Sequence, residues 1–312
     1  MYAFGVDIGG TTNKIGLFTQ EGSLIYKWEI PTRREHKGIN ILPDLAKSIQ
    51  QVIEQRGLTT DQIIGVGLGI PGSVDTFGTV YQAPNLDWDE FHVPSVMESL
   101  IHLPVKVLND ANAAAFGEMW SGGAQGISNM VFVTLGTGVG GGIIVNGAIV
   151  TGAKGAGGEI GHLRICDNET LVCGCGNTGC LEQYTSATGI TRIAKEYLEG
   201  SNRPSILRRD NVELSAKAVF DAVKEGDALA NDVALTFGDY LGKGLAAIAA
   251  VVNPQRFVIG GGVSKAGEIL LKYIRPAFMR YAYPASRDTD FVLATLGNDA
   301  GIYGVAGLFF QI

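Results

Sequence analysis

The sequence lacks an apolar segment long enough to cross a lipid bilayer. A membrane-spanning helix needs about 18 or more mostly apolar residues in succession, whereas the densest run here, LAAIAAVV, covers only 245–252. The first residues, MYAFGVDIGG, contain neither the basic stretch nor the apolar core of a secretory signal. These absences predict a cytoplasmic protein with no membrane partner.

An excess of positive charge is also absent. The 31 acidic residues outnumber the 24 lysines and arginines, and the net charge is −7 at pH 7. Because nucleic acids and anionic membrane surfaces attract proteins mainly through basic side chains, we expect partners of neither kind. Apolar residues make up 46% of the 312 residues, which is enough for a sizeable core divided between two domains of ordinary size.

Cysteine is scarce, and every cysteine lies in one short stretch, EIGHLRICDNETLVCGCGNTGCLEQY. In a reducing cytoplasm, clustered cysteines bind metals or do chemistry more often than they form structural disulfides. His162 precedes Cys173, Cys175 and Cys180 with the spacing H-x10-C-x-C-x4-C. One imidazole and three thiolates suit a tetrahedral Zn²⁺ with no open coordination position, so we predict a structural zinc site. A disulfide or free thiols are the alternative.

Two glutamates, Glu159 and Glu182, flank this zinc motif on either side. A closed metal site would fix both carboxylates on an otherwise flexible loop. The motif is not a redox C-x-x-C, because one residue separates Cys173 from Cys175. The remaining cysteine, Cys166, is expected to be an ordinary buried or spare thiol.

Glycine, by contrast, is abundant, with 44 residues, about twice the usual share. The stretches FGVDIGGTTNKIGLF (4–18) and FVTLGTGVGGGIIV (132–145) each contain an apolar run, a Gly/Thr turn and a second apolar run. This pattern is typical of β-hairpins. Two such hairpins in one chain predict a duplicated domain; chance recurrence of glycine-rich hairpins is the alternative.

The hairpin turns are candidate phosphate sites. Successive N–H groups in a Gly/Thr turn form a concave anion trap, and Asp7 is placed to hold Mg²⁺ as a hard oxygen ligand. A Walker motif is absent, and a plain turn is the alternative for each hairpin alone. The predicted nucleotide contacts are Asp7, Gly9, Gly10, Thr11 and Thr12 in the first hairpin, Thr137 and Gly138 in the second, and Gly261 and Gly262 in VIGGGVS (258–264).

Strands and helices alternate along the chain, which predicts an α/β fold with at least partly parallel sheets. A polar, glycine-rich segment at 118–130 suggests the boundary between an N-terminal domain, 1–118, and a C-terminal domain, 119–312. Apolar periodicity and turn residues predict helices at 42–57, 111–120 and 229–252 and strands at 63–72, 105–110 and 256–262. Ser264 is expected to cap a further helix through Tyr273, and Asp299 is expected to cap a terminal one.

Asp110 lies where a predicted strand meets a helix N-terminus, in NDANAAAFGE (109–118). Ligands of α/β proteins bind at this end of a strand, so Asp110 is a candidate general base for a hydroxyl nucleophile. The alternative is that Asp110 or Asn109 merely caps the helix. A helix N-terminus lowers the pKa of a carboxyl group, whereas removal from water raises it, and the sequence leaves the balance open.

Over essentially its full length the sequence resembles the ROK (repressor, open reading frame, kinase) family of sugar kinases, within the actin/hexokinase-like superfamily. The matching motifs are DIGGT, GIPGSVD (69–75), APNL (83–86), NDANAAA (109–115), TLGTGVGGG, EIGH (159–162) and CGCGNTGCLE (173–182). The cysteine motif is the most specific of them and marks the zinc-containing branch. The resemblance implies a duplicated, ribonuclease H-like α/β fold of two domains with a cleft between them, and a terminal helix that packs on the N-terminal domain.

The resemblance also implies an activity, the ATP-dependent phosphorylation of the 6-hydroxyl of a hexose, with glucose the favoured substrate. Asp110 would be the base on that hydroxyl. The implied sugar contacts are Gly72, Asn85, Asn109, Asp110, Glu159, His162 and Glu182. His162 would bind zinc through one ring nitrogen and the sugar through the other.

The implied cofactors are ATP, Mg²⁺ and structural Zn²⁺, and the expected assembly is a homodimer or a dimer of dimers. The alternative substrates are mannose, fructose, allose, N-acetylglucosamine and N-acetylmannosamine; a polyphosphate donor is a further alternative. The family also contains sugar-sensing transcriptional repressors. We do not expect that function, because DIGGT begins at residue 7 and leaves no room for a preceding winged helix.

Overall fold

The computed structural model describes residues 1–310. The strands are β1 Tyr2–Ile8, β2 Thr12–Thr19, β3 Leu24–Pro31, β4 Ile63–Ile70, β5 Ser73–Val74, β6 Thr79–Gln82, β7 Phe91–His92, β8 Val105–Asn109, β9 Met130–Leu135, β10 Val139–Val145, β11 Ala148–Ile149, β12 Arg256–Gly260 and β13 Asp290–Leu293. The helices are α1 Glu35–Gly38, α2 Ile41–Gln55, α3 Val93–Ile101, α4 Asp110–Ser121, α5 Glu182–Thr185, α6 Ala187–Glu199, α7 Ala216–Lys224, α8 Ala228–Val252, α9 Ile269–Tyr281 and α10 Ala300–Gly307.

The chain forms two compact units. The first contains Met1–Ser128, Gly142–Gly158 and the residues from Thr295 onward, and the second contains Asn129–Gly141 and Glu159–Ala294. The domain boundary at 118/119 stays a prediction.

The first unit is built on a five-stranded sheet of order β3-β2-β1-β4-β8. β1 pairs antiparallel with β2 and parallel with β4, and β4 pairs parallel with β8. Helices α2 and α3 cover one face of this sheet in a buried cluster, whereas α10 packs on the other face through Ile302 and Ala306. β4 contains glycine because α10 comes so close that a Cβ at Gly67 would collide with the backbone of Val305. This packing holds the ends of β1 and β8 in fixed positions.

A second five-stranded sheet places β12 of the second unit between β9 and β13, parallel to both. The sheet order is β11-β10-β9-β12-β13, and α9 packs along the long helix α8. Among residues 1–310, α8 is the one helix long and apolar enough to cross a membrane. Half of its most apolar window is buried inside the protein, and side chains such as Phe237 and Leu241 are fully buried. We therefore interpret α8 as a core helix.

Most predicted elements are present near their predicted bounds, including both glycine-rich hairpins, β1–β2 and β9–β10. The prediction that Ser264 caps a helix was wrong. Ser264 lies inside a short 3-10 turn, where its hydroxyl donates to Gly261 O at 2.7 Å, and α9 begins only at Ile269. Asp299 does occupy the N-cap position of α10, but its carboxylate makes no cap hydrogen bond and pairs with Lys27 at 2.8 Å instead.

Candidate active site

The first predicted phosphate turn, between β1 and β2, is tied to the end of β3. Gly9 N donates to Thr12 O at 3.1 Å and closes the turn. The hydroxyl of Thr32 donates to Gly9 O at 2.7 Å, and Thr32 N donates to Thr11 O at 2.9 Å. Gly10 is partly exposed and Thr11 is exposed. Hydrogen bonds with Thr32 thus fix the turn, whereas Gly10 and Thr11 remain accessible to solvent.

Asp7 is the penultimate residue of β1 and lies opposite Lys14 in the β1–β2 register. Burial raises the pKa of Asp7 to about 6; the positive charge of Lys14 opposes that rise, and the negative charges of Asp110 and Asp299 add to it. At neutral pH Asp7 is still mostly ionised. These carboxylates together form a region of negative potential beside the turn, which a divalent cation would neutralise.

The structure distinguishes Asn109 from Asp110. Asn109 is the N-cap of α4, since its Oδ1 accepts from Ala111 N at 2.9 Å and from Asn112 N at 3.2 Å. Asp110 is the first helical residue and is exposed, and its Oδ1 accepts from Asn109 Nδ2 at 2.9 Å. Asn109 therefore occupies the N-cap position, and Asp110, whose Oδ1 also accepts from Ala111 N at 2.8 Å, is the first residue of the helix.

The remaining predicted sugar residues of the first unit lie close to these groups. Asn109 Nδ2 also donates to Gly72 O at 3.0 Å, which joins the end of β8 to the loop after β4. Asn85 is exposed in a 3-10 turn at Pro84–Leu86, and a Cβ at Gly10 would lie 3.6 Å from Asn85 O. Within the first unit, the turn at Gly10 therefore lies near Asn85, and the loop at Gly72 lies against the Asn109–Asp110 pair.

In the second unit the predicted zinc ligands form one cluster. The ligand atoms of His162, Cys173, Cys175 and Cys180 all lie within 4.8 Å of one another. Cys175 Sγ is 3.7 Å from Cys180 Sγ, and Cys173 Sγ is 3.7 Å from His162 Nδ1. A tetrahedral Zn²⁺ with Zn–S bonds of about 2.3 Å separates its sulfurs by about 3.8 Å, whereas a disulfide needs about 2.05 Å. The cluster therefore fits zinc, and its cysteines are free thiols.

The protein alone favours the neutral form of two of the cluster's thiols. Burial raises the pKa of Cys173, and it raises the pKa of Cys180 to about 12. The backbone N–H of Asn177 lowers the pKa of the exposed Cys175. Contacts with the protein do little to stabilise the thiolate form of these buried cysteines. A divalent cation would stabilise that form, which is the one that serves as a metal ligand.

The two glutamates around the zinc motif occupy different settings. Glu159 is exposed, and its carbonyl accepts from His162 N at 3.1 Å in the 3-10 turn Ile160–His162. Glu182 begins α5, and its Oε2 accepts from Val139 N at 2.9 Å. A Cβ at Gly138 would collide with that same oxygen. Glu182 therefore contacts the turn between β9 and β10 through Oε2, and its Oε1 lies 3.7 Å from Cys173 Sγ. The sequence did not predict the contact with the turn.

Comparison with known proteins agrees with this arrangement, since residues 3–312 match the ROK family model. The chain belongs to the ROK family. It is 45% identical over 305 residues to a glucokinase of Halalkalibacterium halodurans, covering 96% of this chain and 92% of that one. A ROK family glucokinase from Streptomyces griseus, solved in complex with glucose and AMPPNP, is 35% identical, with a TM-score of 0.76 over 99% of both chains. A ROK hexokinase from Thermus thermophilus is 31% identical, with a TM-score of 0.80 over 98% of this chain and 97% of that one. The two-domain α/β fold of this ROK protein is thereby confirmed.

This ROK protein also has a cavity of about 350 Å³ that motif analysis missed. Its walls include Gly262 and Val263, which follow β12, together with the N-cap residue of α7, Ser215, and Phe220 in the middle of that helix. The volume lies within the range of small-molecule pockets. The sequence around Ser215 carries only the signature of a capped amphipathic helix, and only the fold places that helix beside the predicted Gly261–Gly262 turn.

Proposed function

We propose that this ROK protein is a glucokinase, which transfers the γ-phosphoryl group of ATP to the 6-hydroxyl of glucose. One structural observation carries the proposal: Asn109 caps α4, so that the neighbouring Asp110 presents an exposed carboxylate at the helix N-terminus, at the end of a parallel strand. The 45% identity to a glucokinase over nearly the whole chain supports glucose as the substrate.

In this proposal Asp110 is the general base. It accepts the proton of the 6-hydroxyl as that oxygen bonds to the γ-phosphorus, while the bond to the bridging oxygen of ADP breaks. The transition state of phosphoryl transfer is loose, so the protein contributes mainly position and electrostatic stabilisation. The predicted sugar contacts are Gly72, Asn85 and Asn109 in the first unit and Glu159, His162 and Glu182 in the second.

His162 has a double role. Its Nδ1 faces Cys173 at 3.7 Å and is the nitrogen that fits the metal. With Nδ1 on the metal, Nε2 keeps its proton and can donate it to a sugar hydroxyl. Structural Zn²⁺, when bound, therefore supplies rigidity and fixes the imidazole tautomer without taking part in the phosphoryl transfer.

The nucleotide is held by backbone groups. Both hairpin turns bind phosphate oxygens, and the adenosine occupies the 350 Å³ cavity beside Gly262. Mg²⁺ bound near Asp7 would offset the charge of the phosphates and of the departing ADP. We further propose that ATP is the phosphoryl donor and that the protein is cytoplasmic. The proposed assembly is a homodimer or a dimer of dimers, which light scattering would measure.

Exchanging Gly136 for Val is expected to raise the KM for ATP about tenfold or more, because a side chain there obstructs the approach of phosphate to backbone. Among residues 1–310, no atom beyond its two chain neighbours lies within 4 Å of a Cβ at Gly136, so the KM for glucose should stay within about twofold of wild type. Gly138→Val is the comparison: its side chain also displaces the Glu182 carboxylate, so both KM values should rise. Steady-state kinetics with each substrate varied in turn measures these effects. Equal changes in both constants for Gly136→Val would contradict the placement of the turn.

The substrate is tested by a coupled ADP-release assay with glucose, mannose, fructose, allose, N-acetylglucosamine and N-acetylmannosamine. We expect the highest kcat/KM for glucose, and a higher value for another sugar would overturn this choice while keeping the kinase activity. A repressor would instead show sugar-dependent DNA binding and no release of ADP.

A further inference from the structure

The second phosphate turn is attached to a helical corner, defined here as residues 182–188, where α5 meets α6. Val139 N donates to Glu182 Oε2 at 2.9 Å. From the other side of the corner, Ala187 N donates to Gly136 O at 2.8 Å, and the hydroxyl of Thr188 donates to Thr137 O at 3.0 Å. Consecutive residues of the turn are therefore bonded to one rigid element.

These bonds determine which way the N–H groups of the turn point. In a planar trans peptide the C=O and N–H bonds point in opposite directions. Because the corner holds the carbonyls of Gly136 and Thr137, the N–H groups of Thr137 and Gly138 are directed away from the corner. Aligned N–H groups of this kind are what an anion-binding turn requires.

The same corner is attached to the zinc loop. Gln183 Oε1 accepts from Cys180 N at 3.0 Å, and Gln183 Nε2 donates to Leu171 O at 2.8 Å. The hydroxyl of Tyr184 donates to Glu169 Oε2 at 2.7 Å. These partners lie on the loop that contains Cys173 and Cys180, so any loss of order in the cysteine cluster is transmitted directly to α5.

We propose that the corner is a positioning element for nucleotide binding, through which the zinc cluster supports the phosphate turn as well as the sugar site. This inference rests on the proposed kinase function. Thr188 is its most specific positioning residue, since its hydroxyl contributes to the turn and it is itself exposed. Ala187 also lines the 350 Å³ cavity proposed for adenosine.

Titration calorimetry with AMPPNP, without sugar, tests the inference. Thr188→Val removes the hydroxyl at nearly constant volume, and we expect the Kd for AMPPNP to rise about three- to tenfold, with the Kd for glucose unchanged within about twofold. Thr188→Ser should restore wild-type affinity. The matched control is Thr236→Val on α8, whose hydroxyl bonds Asp232 O at 3.1 Å and the hydroxyl of Tyr197 at 2.9 Å, outside the corner, so nucleotide affinity should not change.

Zinc removal provides the second arm of the test. Chelator-treated protein that retains its near-ultraviolet circular dichroism should bind AMPPNP several-fold more weakly, even without sugar. Unchanged AMPPNP affinity in Thr188→Val, or in folded zinc-free protein, would overturn the inference while the kinase proposal stands. If zinc-free protein unfolds, the inference is tested by the loss of AMPPNP affinity in Thr188→Val and its recovery in Thr188→Ser. Wild-type protein that binds no AMPPNP would refute the kinase proposal and the inference together.

Discussion

Replacing Asp110 by Asn is expected to lower kcat by about 10²–10⁴-fold, the usual contribution of a positioned general base. Asparagine retains the size of the side chain and an oxygen that can accept from Asn109 Nδ2, but it cannot take a proton at neutral pH. The helix cap should survive, because Asn109 makes the cap hydrogen bonds. A late proton transfer in a loose transition state would place the loss near the lower limit.

The measurements are the steady-state rate and the calorimetric Kd for glucose, which separate catalysis from binding. Glucose affinity should stay within a few-fold of wild type. Asp44→Asn is the matched control, since it removes a carboxylate of the first unit from a surface pair with Arg33 and should leave turnover unchanged. If the kcat of Asp110→Asn stays within a few-fold of wild type, Asp110 is a structural residue and not the general base.

Loss of the zinc cluster is the second large effect that we expect. Freshly purified protein should contain about one Zn²⁺ per chain, and Cys175→Ala should contain almost none. Since structural zinc contributes several kcal/mol to folding, and each kcal/mol shifts Tm by about 2–4 °C in a domain of 150–250 residues, Tm should fall by roughly 10 °C. Sugar affinity should fall as well, because His162 loses its fixed tautomer.

Cys166→Ala is the control for this variant, because Cys166 is the one cysteine of the chain outside the cluster of His162, Cys173, Cys175 and Cys180. It should keep its zinc. Elemental analysis together with thermal unfolding makes the comparison. A wild-type protein purified in chelator-free buffer without zinc would refute the metal assignment.

The features that the sequence predicted well depend on residues close together in the chain. Apolar periodicity indicated β4 and α8, glycine-rich turns indicated both hairpins, and the spacing from Cys173 to Cys180 indicated the metal cluster. Each of these patterns is specified within one or two elements. The error at Ser264 also has a local cause. Serine often caps helices, but Ser264 lies in a 3-10 turn, and Gly267, with a φ of +87°, separates this turn from α9.

The features that the sequence did not predict depend on contacts between distant residues. Asp299 pairs with Lys27 instead of capping its own helix, and Glu182 bonds to the second hairpin at Val139. Capping rules allowed either Asn109 or Asp110, and only the observed hydrogen bonds decided between them. Long-range packing of this kind leaves no periodicity and no fixed spacing in the sequence, so it could be read only from the folded chain.

The most direct test of the proposed function is the identity of the product. Wild-type protein and Asp110→Asn would be incubated with ATP, Mg²⁺ and glucose, and the mixtures followed by phosphorus and proton nuclear magnetic resonance. We predict that wild type forms glucose 6-phosphate and ADP in equal amounts, and that Asp110→Asn forms both at a rate about 10²–10⁴-fold lower. Absence of a phosphorylated sugar with wild type, release of ADP without sugar phosphate, or phosphorylation at another hydroxyl would contradict the account.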